Sequence, residues 1–209
     1  MNATIVVAGT DTDVGKTIFA AGLTRFLDGV YWKPVQAGLE GETDSETVQR
    51  LSGLPRDRIL PELWRLRTPA SPHLAAELDG LEIDTRLLDL PACERTLIVE
   101  GAGGLLVPLT RRTLLIDVLA RWHAPVILCA RSRLGTINHT LLSLEALRRR
   151  NIPVMGVALI GDAHAENERM IAAIGDVRLL GRLPFQNPLT SSSLAAAFAV
   201  AFRREMFLT

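Results

Sequence analysis

The stretch with the clearest chemical meaning is residues 9–17, Gly-Thr-Asp-Thr-Asp-Val-Gly-Lys-Thr. An apolar run, residues 5–8, precedes it, and a helical pattern of apolar residues follows it. A strand, a glycine-containing turn, Gly-Lys-Thr and a helix form the context that a phosphate-binding loop requires. Gly15 lets the backbone approach phosphate oxygens, and the amides at the helix start point towards an anion. We therefore expect Lys16 to contact the β- and γ-phosphates of a nucleotide and the Thr17 hydroxyl to ligate Mg²⁺.

The loop departs from the usual pattern G-x-x-x-x-G-K-[ST] at one position. Thr10 stands where the first glycine is expected, and Gly9 lies one residue earlier. The choice of basic residues still supports a phosphate-binding site, because Lys16 and Lys33 are the only lysines and all other Lys or Arg positions are arginine. A compact ammonium fits between phosphate oxygens, whereas a guanidinium is a broad planar fork. We expect both lysines to face one site; an ordinary charge at a strand end is the alternative for Lys33.

Two acidic residues complete a candidate Mg²⁺ site with Thr17. Mg²⁺ bound to ATP keeps several waters, so one or two carboxylates suffice. Glu100 follows a buried apolar strand and precedes a glycine turn, which is where open α/β sheets place their chemistry. Asp44 precedes a short helical pattern, and a helix N-cap is its alternative role.

A second strand-to-helix turn spans residues 133–140, Arg-Leu-Gly-Thr-Ile-Asn-His-Thr. Its free amides could hold a carboxylate or a phosphate, but capping of the helix by Thr136 explains the turn equally well. His139 is more typical of a packing residue than of a catalyst. The segment Ser71-Pro72-His73 is a further candidate for lining the site.

The elements that must position these residues alternate between strand and helix. Strands are predicted at 5–8, 30–33, 96–99, 125–130, 153–160 and 177–180. Helices are predicted at 16–28, 45–51, 73–78, 84–90, 114–122, 135–150, 164–174 and 190–207, and residues 54–72 are expected to be irregular. Alternation of this kind, in a chain rich in Val, Ile and Leu, predicts a single doubly wound α/β domain over 1–209, with a mostly parallel sheet and helices on both faces.

Composition excludes several classes of partner. The chain has 209 residues, a net charge of zero and 48% hydrophobic residues, so a bulk nucleic-acid partner is not expected. No apolar run approaches ~18 residues, which argues against a membrane span. Cys93 and Cys129 lack metal-ligand spacing and are expected to be reduced, which suits a cytoplasmic location.

Together the motifs resemble the dethiobiotin synthetase family of P-loop enzymes. The motifs that carry the resemblance, in chain order, are 9–17, Lys-Pro-Val-Gln-Ala-Gly (33–38), Asp44, Ser-Pro-His (71–73), Val-Glu-Gly-Ala-Gly-Gly (99–104) and Leu-Gly-Thr-Ile-Asn-His (134–139). The resemblance implies ATP, Mg²⁺, CO₂ or bicarbonate and 7,8-diaminopelargonate, with the substrate site at a homodimer interface. The implied product is the cyclic urea dethiobiotin, formed through a carbamate that is phosphorylated by ATP.

The resemblance also implies roles for individual residues. Catalytic roles fall to Thr12, Lys16 and Lys33. Nucleotide-binding roles fall to Asp13, Val14, Gly15, Lys16, Thr17, Asp44, Glu100, Gly101, Gly103 and Pro184, and the metal ligands are Thr17, Asp44 and Glu100. Substrate-binding roles fall to Thr12, Asp13, Lys33, Ala37, Gly135, Thr136, Ile137 and Asn138.

Two positions depart from the family. Ala37 stands where a hydroxyl residue is common, and Ile160-Gly161 stand where many relatives have an asparagine that recognises adenine. Weak selection among nucleobases is therefore expected, with Gln186 and Asn187 as the remaining side chains that could recognise a base.

Two alternatives share the phosphate-binding loop. Partitioning-type ATPases usually carry a lysine early in the loop, where this chain has Asp11; the apolar segment 194–202 also suggests a core helix rather than a membrane anchor. An amidotransferase-like synthetase would share the loop but not the 33–38 and 134–139 motifs.

Overall fold

The computed structural model describes residues 3–207 and contains nine strands and seven α-helices within that range. The strands are β1 Thr4–Gly9, β2 Val30–Trp32, β3 Val35–Ala37, β4 Ile59–Leu60, β5 Trp64–Leu66, β6 Leu97–Gly104, β7 Val126–Arg131, β8 Val154–Ile160 and β9 Leu179–Leu183. The helices are α1 Lys16–Leu27, α2 Asp44–Ser52, α3 Pro72–Asp79, α4 Leu115–Trp122, α5 Thr136–Arg149, α6 Ala165–Gly175 and α7 Ser191–Ala201.

Seven strands form one sheet in the order β4-β2-β6-β1-β7-β8-β9, and β3 pairs with β5 beside it. Every strand pairing is parallel. The central strands are nearly continuous apolar runs because both faces of the sheet are covered. The predicted doubly wound, parallel α/β fold is therefore confirmed.

Helices cover the two faces of the sheet with separate cores. One core contains Phe19 of α1, Leu51 of α2 and Phe198 of α7, packed against Ile5 and Val7 of β1. The other core brings α3, α4, α5 and α6 onto the opposite face. The carboxyl ends of β1, β2, β6 and β7 consequently meet at one edge of the sheet, where loops can converge.

Several predicted boundaries were wrong, and local chemistry explains two of them. Residues 84–90 contain only a 3₁₀ turn, Thr85–Leu87, because the Asp84 carboxylate accepts from the Arg86 amide and pairs with its guanidinium. The strand predicted at 96–99 runs on to Gly104, and a bulge between Val7 and Gly9 in its pairing with β1 accommodates the glycine segment. The segment 54–72 holds two short strands, β4 and β5, and β9 lies later than predicted.

The last helix is shorter and less buried than predicted. α7 ends at Ala201, and a 3₁₀ turn covers Arg204–Met206. Only its Leu194 and Phe198 are buried, while Val200 on the opposite side is 90% exposed. The segment predicted as a core helix therefore packs on the core through one face only, and alanines fill most of its outer positions. Within residues 3–207 no helix is both long enough and apolar enough to span a membrane.

Candidate active site

The phosphate-binding loop joins β1 to α1 at the carboxyl edge of the sheet. Its last residue, Gly15, is the N-cap of α1, with a left-handed φ of 97° and no side-chain cap. The first amides of α1 are therefore free to bind an anion. A Cβ at position 15 would lie 2.9 Å from Ile160 Cγ2, so both conformation and space require glycine. Asp13 also adopts a left-handed conformation, with φ of 54°, and Val14 between them is buried.

Lys16 is folded back over this loop. Its ammonium donates to the Asp11 carbonyl at 2.9 Å, and the residue is buried. Burial lowers the pKa of Lys16, although the negative charge of Glu100 opposes this effect. An incoming phosphate would replace the Asp11 carbonyl as the partner of the Lys16 ammonium and would bring a full negative charge. Lys16 is therefore well placed to contact the phosphates of a nucleotide.

Thr17, Lys33, Asp44 and Glu100 form one polar cluster beside the loop, in which Lys33 and Glu100 are buried and Thr17 and Asp44 are partly exposed. The Thr17 hydroxyl lies 2.8 Å from Glu100 Oε1 and 3.1 Å from Asp44 Oδ1. Lys33 Nζ lies 3.3 Å from Glu100 Oε1 and forms a salt bridge with Asp44 Oδ2. Burial alone would lower the pKa of Lys33, but the charges of Glu100 and Asp44 outweigh burial and raise it. The structure thus brings together all four residues that the sequence placed at the chemical centre.

The alternative role of Asp44, as a helix N-cap, is wrong. Thr43 caps α2 and forms a capping box with Glu46, so Asp44 is the first residue of the helix. Its carboxylate is therefore free to bond Thr17 and Lys33. Burial would raise the pKa of Asp44, but Lys33 outweighs burial and keeps this pKa below its usual value.

The cluster suits Mg²⁺ better than a transition metal. Within residues 3–207 no group of three or more His, Cys, Asp or Glu side chains is arranged to hold a metal ion. One hydroxyl and two carboxylates from Thr17, Asp44 and Glu100 supply only hard oxygen donors, which leaves positions for water and phosphate oxygens. The donor set therefore fits a Mg²⁺ ion that binds together with a nucleotide.

A cavity of about 680 Å³ opens beside the loop, large enough for a nucleoside. Its lining residues include Asp13, Gly15, Ile160, Pro184, Phe185 and Gln186. Ile160 presents only aliphatic atoms, and the Gln186 amide nitrogen already donates to the carbonyls of Pro184 and Phe185. Pro184, expected to contact the nucleotide, thus lines this cavity, and most of the cavity surface is apolar.

The second turn, at residues 133–140, lies on the other side of the loop. Gly135 is the N-cap of α5 and no side chain caps this helix, so the interpretation of Thr136 as its cap was wrong. The buried Thr136 hydroxyl has no hydrogen-bond partner within the described chain, and it lines a cavity of about 70 Å³ with Arg131 and Arg133. A free helix start, a free hydroxyl and two guanidinium groups suit a small anion.

The remaining candidates lie in β3, in β6, at the start of α5 and beside a separate cavity. Gly103 has a left-handed φ of 63°, and a Cβ there would lie 3.6 Å from the Thr12 hydroxyl, so Gly103 runs beside the loop. Gly101 lies instead beside Leu115 and the Val7 carbonyl of β1. Ala37 ends β3 and offers no polar side chain. Ile137 and Asn138 belong to the first turn of α5. His139, expected to pack, is exposed, and Ser71 bonds His73 at 3.0 Å beside a separate cavity.

Two residues at the site were not predicted from the sequence. The Tyr31 hydroxyl donates to Glu100 Oε2 at 2.8 Å, and Arg131 donates to the Thr12 carbonyl at 2.6 Å. Tyr31 lies two residues before Lys33, so the alternation of a strand places both side chains on one face. Arg131 is the last residue of β7 and directly follows its buried apolar residues, which is the same signal that singled out Glu100. Strand periodicity could thus have found both residues.

Two solved structures with this fold are distant from this chain in sequence. The Mg-ADP complex of the septum site-determining protein MinD from Pyrococcus horikoshii has a TM-score of 0.58 at 16% identity and covers 95% of this chain and 93% of its own. The cell division ATPase MinD from Pyrococcus furiosus has a TM-score of 0.60 at 12% identity and covers 95% of both chains. At these identities the similarity shows the fold alone.

Sequence relatives are much closer. A family model described as an AAA domain matches residues 3–193. ATP-dependent dethiobiotin synthetase BioD of Rhodopseudomonas palustris (strain BisA53) is 65% identical over 97% of this chain and 95% of its own length. The protein of the same name from Bradyrhizobium diazoefficiens is 61% identical over 100% of this chain and 99% of its length. The chain therefore belongs to the ATP-dependent dethiobiotin synthetase family.

Proposed function

We propose that this protein is an ATP-dependent dethiobiotin synthetase, a ligase that closes a cyclic urea on 7,8-diaminopelargonate using CO₂ and ATP. The observation that carries the proposal is the cluster of Lys33, Asp44, Glu100 and Thr17 directly beside the phosphate-binding loop. A loop that only binds or hydrolyses nucleotide does not need a second buried lysine next to its metal ligands. Lys33 supplies positive charge for a second, anionic reactant.

The reaction has three bond-forming steps. One amine of the substrate attacks CO₂ and loses a proton, which gives a carbamate. A carbamate oxygen then attacks the γ-phosphorus of ATP, the bond to the β-phosphate oxygen breaks and ADP leaves. The second amine attacks the carbonyl carbon, phosphate leaves with the bonding pair of its C–O bond, and the five-membered urea is closed with loss of a proton.

Every intermediate is anionic, so catalysis depends on placed positive charge. Lys33 binds the carbamate and the γ-phosphate, and Lys16 binds the β- and γ-phosphates. Thr12 and Asp13 lie beside the reacting diamine, Asp13 also lines the nucleotide cavity, and the backbone amides at Val14 to Thr17 bind the triphosphate. When bound, Mg²⁺ held by Thr17, Asp44 and Glu100 neutralises charge on the phosphate oxygens.

The substrate carboxylate is proposed to bind at the second turn. The free amides of Gly135, Ile137 and Asn138 and the unpartnered Thr136 hydroxyl supply donors for it, whereas the Thr136 amide already donates to the Arg133 carbonyl at 3.1 Å. Leu134 beside them is fully exposed, and Leu106 and Leu142 are exposed around a neighbouring groove of about 380 Å³. Adjacent exposed leucines next to a site favour an interface. We assign this surface to a second copy of the chain, which gives a homodimer.

Two substitutions test whether the exposed leucines, and not exposed apolar residues elsewhere on the surface, form the dimer interface. Leu142→Glu is expected to shift the protein to monomer in sedimentation velocity, because it places charge within the leucine surface. Val200→Glu is the control, since Val200 is more exposed but lies on α7, on the opposite face of the sheet. Dissociation by both variants, or by neither, would contradict this interface.

A coupled assay tests the activity itself. With ATP and Mg²⁺ present, phosphate release should require both the diamine and bicarbonate, with one dethiobiotin formed for each phosphate. Phosphate release that does not depend on the diamine would point to a nucleotide switch instead. Cys93 and Cys129 are both free thiols, which is consistent with a reducing compartment, and we propose a cytoplasmic location for the enzyme.

A further inference from the structure

Within residues 3–207, the phenol of Tyr31 is the one side chain that hydrogen-bonds Glu100 Oε2, the oxygen on the core side. Tyr31 lies in the middle of β2 with no exposed surface, and it is the only tyrosine in the chain. Its hydroxyl donates to Glu100 Oε2 at 2.8 Å. A buried phenol needs a partner for its hydroxyl, and here the partner is the carboxylate proposed to hold the cation.

The two oxygens of Glu100 therefore have different surroundings. Oε1 lies 2.8 Å from the Thr17 hydroxyl and 3.3 Å from Lys33 Nζ, so it faces the reaction site. Oε2 faces the core and is occupied by Tyr31. A carboxylate that is free on both oxygens can rotate or bind a cation with both of them. The phenol removes that freedom, because rotation would break a buried hydrogen bond to a charged acceptor.

We propose that Tyr31 is a positioning residue that fixes Glu100 so that a single oxygen, Oε1, is presented to the cation beside Thr17. This inference rests on the proposed function, since it takes Glu100 as a ligand of the nucleotide-bound Mg²⁺. The positioning role would also explain why a tyrosine is buried two residues before Lys33. Both side chains lie on one face of the extended chain and approach the same carboxylate.

The chain offers a matched control on the neighbouring residue. Trp32 is buried in the same strand, and its indole nitrogen donates to the Pro61 carbonyl at 3.1 Å. Trp32 belongs to the core on the opposite face of the sheet from Tyr31. Trp32→Phe therefore removes a side-chain hydrogen bond from β2, in this case a part-buried one to a neutral carbonyl, without touching Glu100.

The test measures binding of Mn²⁺, as a probe for Mg²⁺, to the full chain with ADP, using the paramagnetic signal of free Mn²⁺. Outer-shell hydrogen bonds to metal ligands are typically worth 10–100-fold in metal affinity. We expect Tyr31→Phe to weaken Mn²⁺ binding about tenfold and Trp32→Phe to leave it within about twofold. ADP affinity in a chelator, without any divalent cation, should be unchanged in Tyr31→Phe, because the loop amides and Lys16 are intact.

Glu100→Gln tests whether Glu100 is a metal ligand, separately from whether Tyr31 positions it. If Glu100→Gln weakens Mn²⁺ binding but Tyr31→Phe does not, the metal assignment stands and the role of Tyr31 is overturned. If Glu100→Gln also leaves Mn²⁺ affinity unchanged, the metal assignment itself fails. Equal losses in Tyr31→Phe and Trp32→Phe, or a loss of ADP affinity in the chelator, would mean that the phenol only supports the fold, which also overturns the proposal.

Discussion

Replacing Lys33 with arginine should reduce turnover by ~10²-fold or more while the fold and nucleotide binding persist. Lys33 is only 4% exposed and lies between Asp44 and Glu100, so the larger guanidinium must displace its neighbours. Overpacking of this kind costs about 1–3 kcal/mol of stability, but the two carboxylates keep a positive partner. Loss of one placed donor for developing charge typically lowers kcat by ~10²–10³-fold, and 10² corresponds to about 2.7 kcal/mol.

Three measurements on the same preparation test this reasoning. Thermal unfolding should show a folded variant, ADP binding should stay close to the wild type, and dethiobiotin formation should fall. Lys16→Arg is the comparison, because Lys16 contacts the loop itself and its replacement should lower ADP affinity as well as turnover. Near-normal turnover of Lys33→Arg would refute the argument that a compact ammonium is required at this position.

Three further outcomes follow from the site. Glu100→Gln should raise the Mg²⁺ concentration needed for activity more than it raises the diamine KM; a raised diamine KM alone would remove Glu100 from the metal site. ATP, CTP and GTP should support rates within about tenfold at matched sub-saturating concentrations, because Ile160 has no polar atom and the Gln186 amide nitrogen is already bonded; an ATP preference above a hundredfold would contradict this. Burial, and then the charge of Glu100, raise the pKa of Tyr31 well above 10.0. The folded protein therefore keeps a proton that the unfolded chain loses, so this contribution to stability is complete below pH 10.0 and decreases above it. Ultraviolet titration of this single tyrosine should show phenolate just above pH 10.0 only after unfolding. Phenolate in the folded protein at that pH would contradict the conclusion that burial raises the pKa of Tyr31.

The fold was predictable from sequence where hydrophobic pattern and glycine position agree. The buried runs that became β1, β7 and β8 have both faces covered, so each appears as a continuous apolar segment. Helix ends were predictable where the chain needs a left-handed residue, as at Gly53, which ends α2. These signals are local, and local signals are the ones that a single sequence carries.

Boundaries that depend on distant contacts were not predictable. The apolar pattern at 190–207 continues past Ala201, but the chain leaves the helical conformation at Phe202. This change lets Phe202 and Phe207 both pack on Phe198, with ring centroids at 4.4 and 6.5 Å. Phe202 also packs on Phe19 of α1, with ring centroids at 5.4 Å, and Phe207 packs on Phe26 of α1 at 6.3 Å. The aromatic cluster therefore joins elements far apart in sequence, so helical periodicity alone overestimates the length of α7.

The unpredicted contacts at the site follow from strand register, which composition and spacing do not reveal. β2 pairs with β6 so that Tyr31 lies opposite Ile98, and Glu100 lies two residues further along on the same face. Two residues of strand span about 6.6 Å, which is the reach of a tyrosine side chain that leans along the strand. β7 pairs with β1 so that Cys129 lies opposite Gly9, which places Arg131 two residues further on, beside the start of the loop and the Thr12 carbonyl. Once the sheet order β2-β6-β1-β7 is known, both contacts are required by geometry, and without that order neither partner can be assigned.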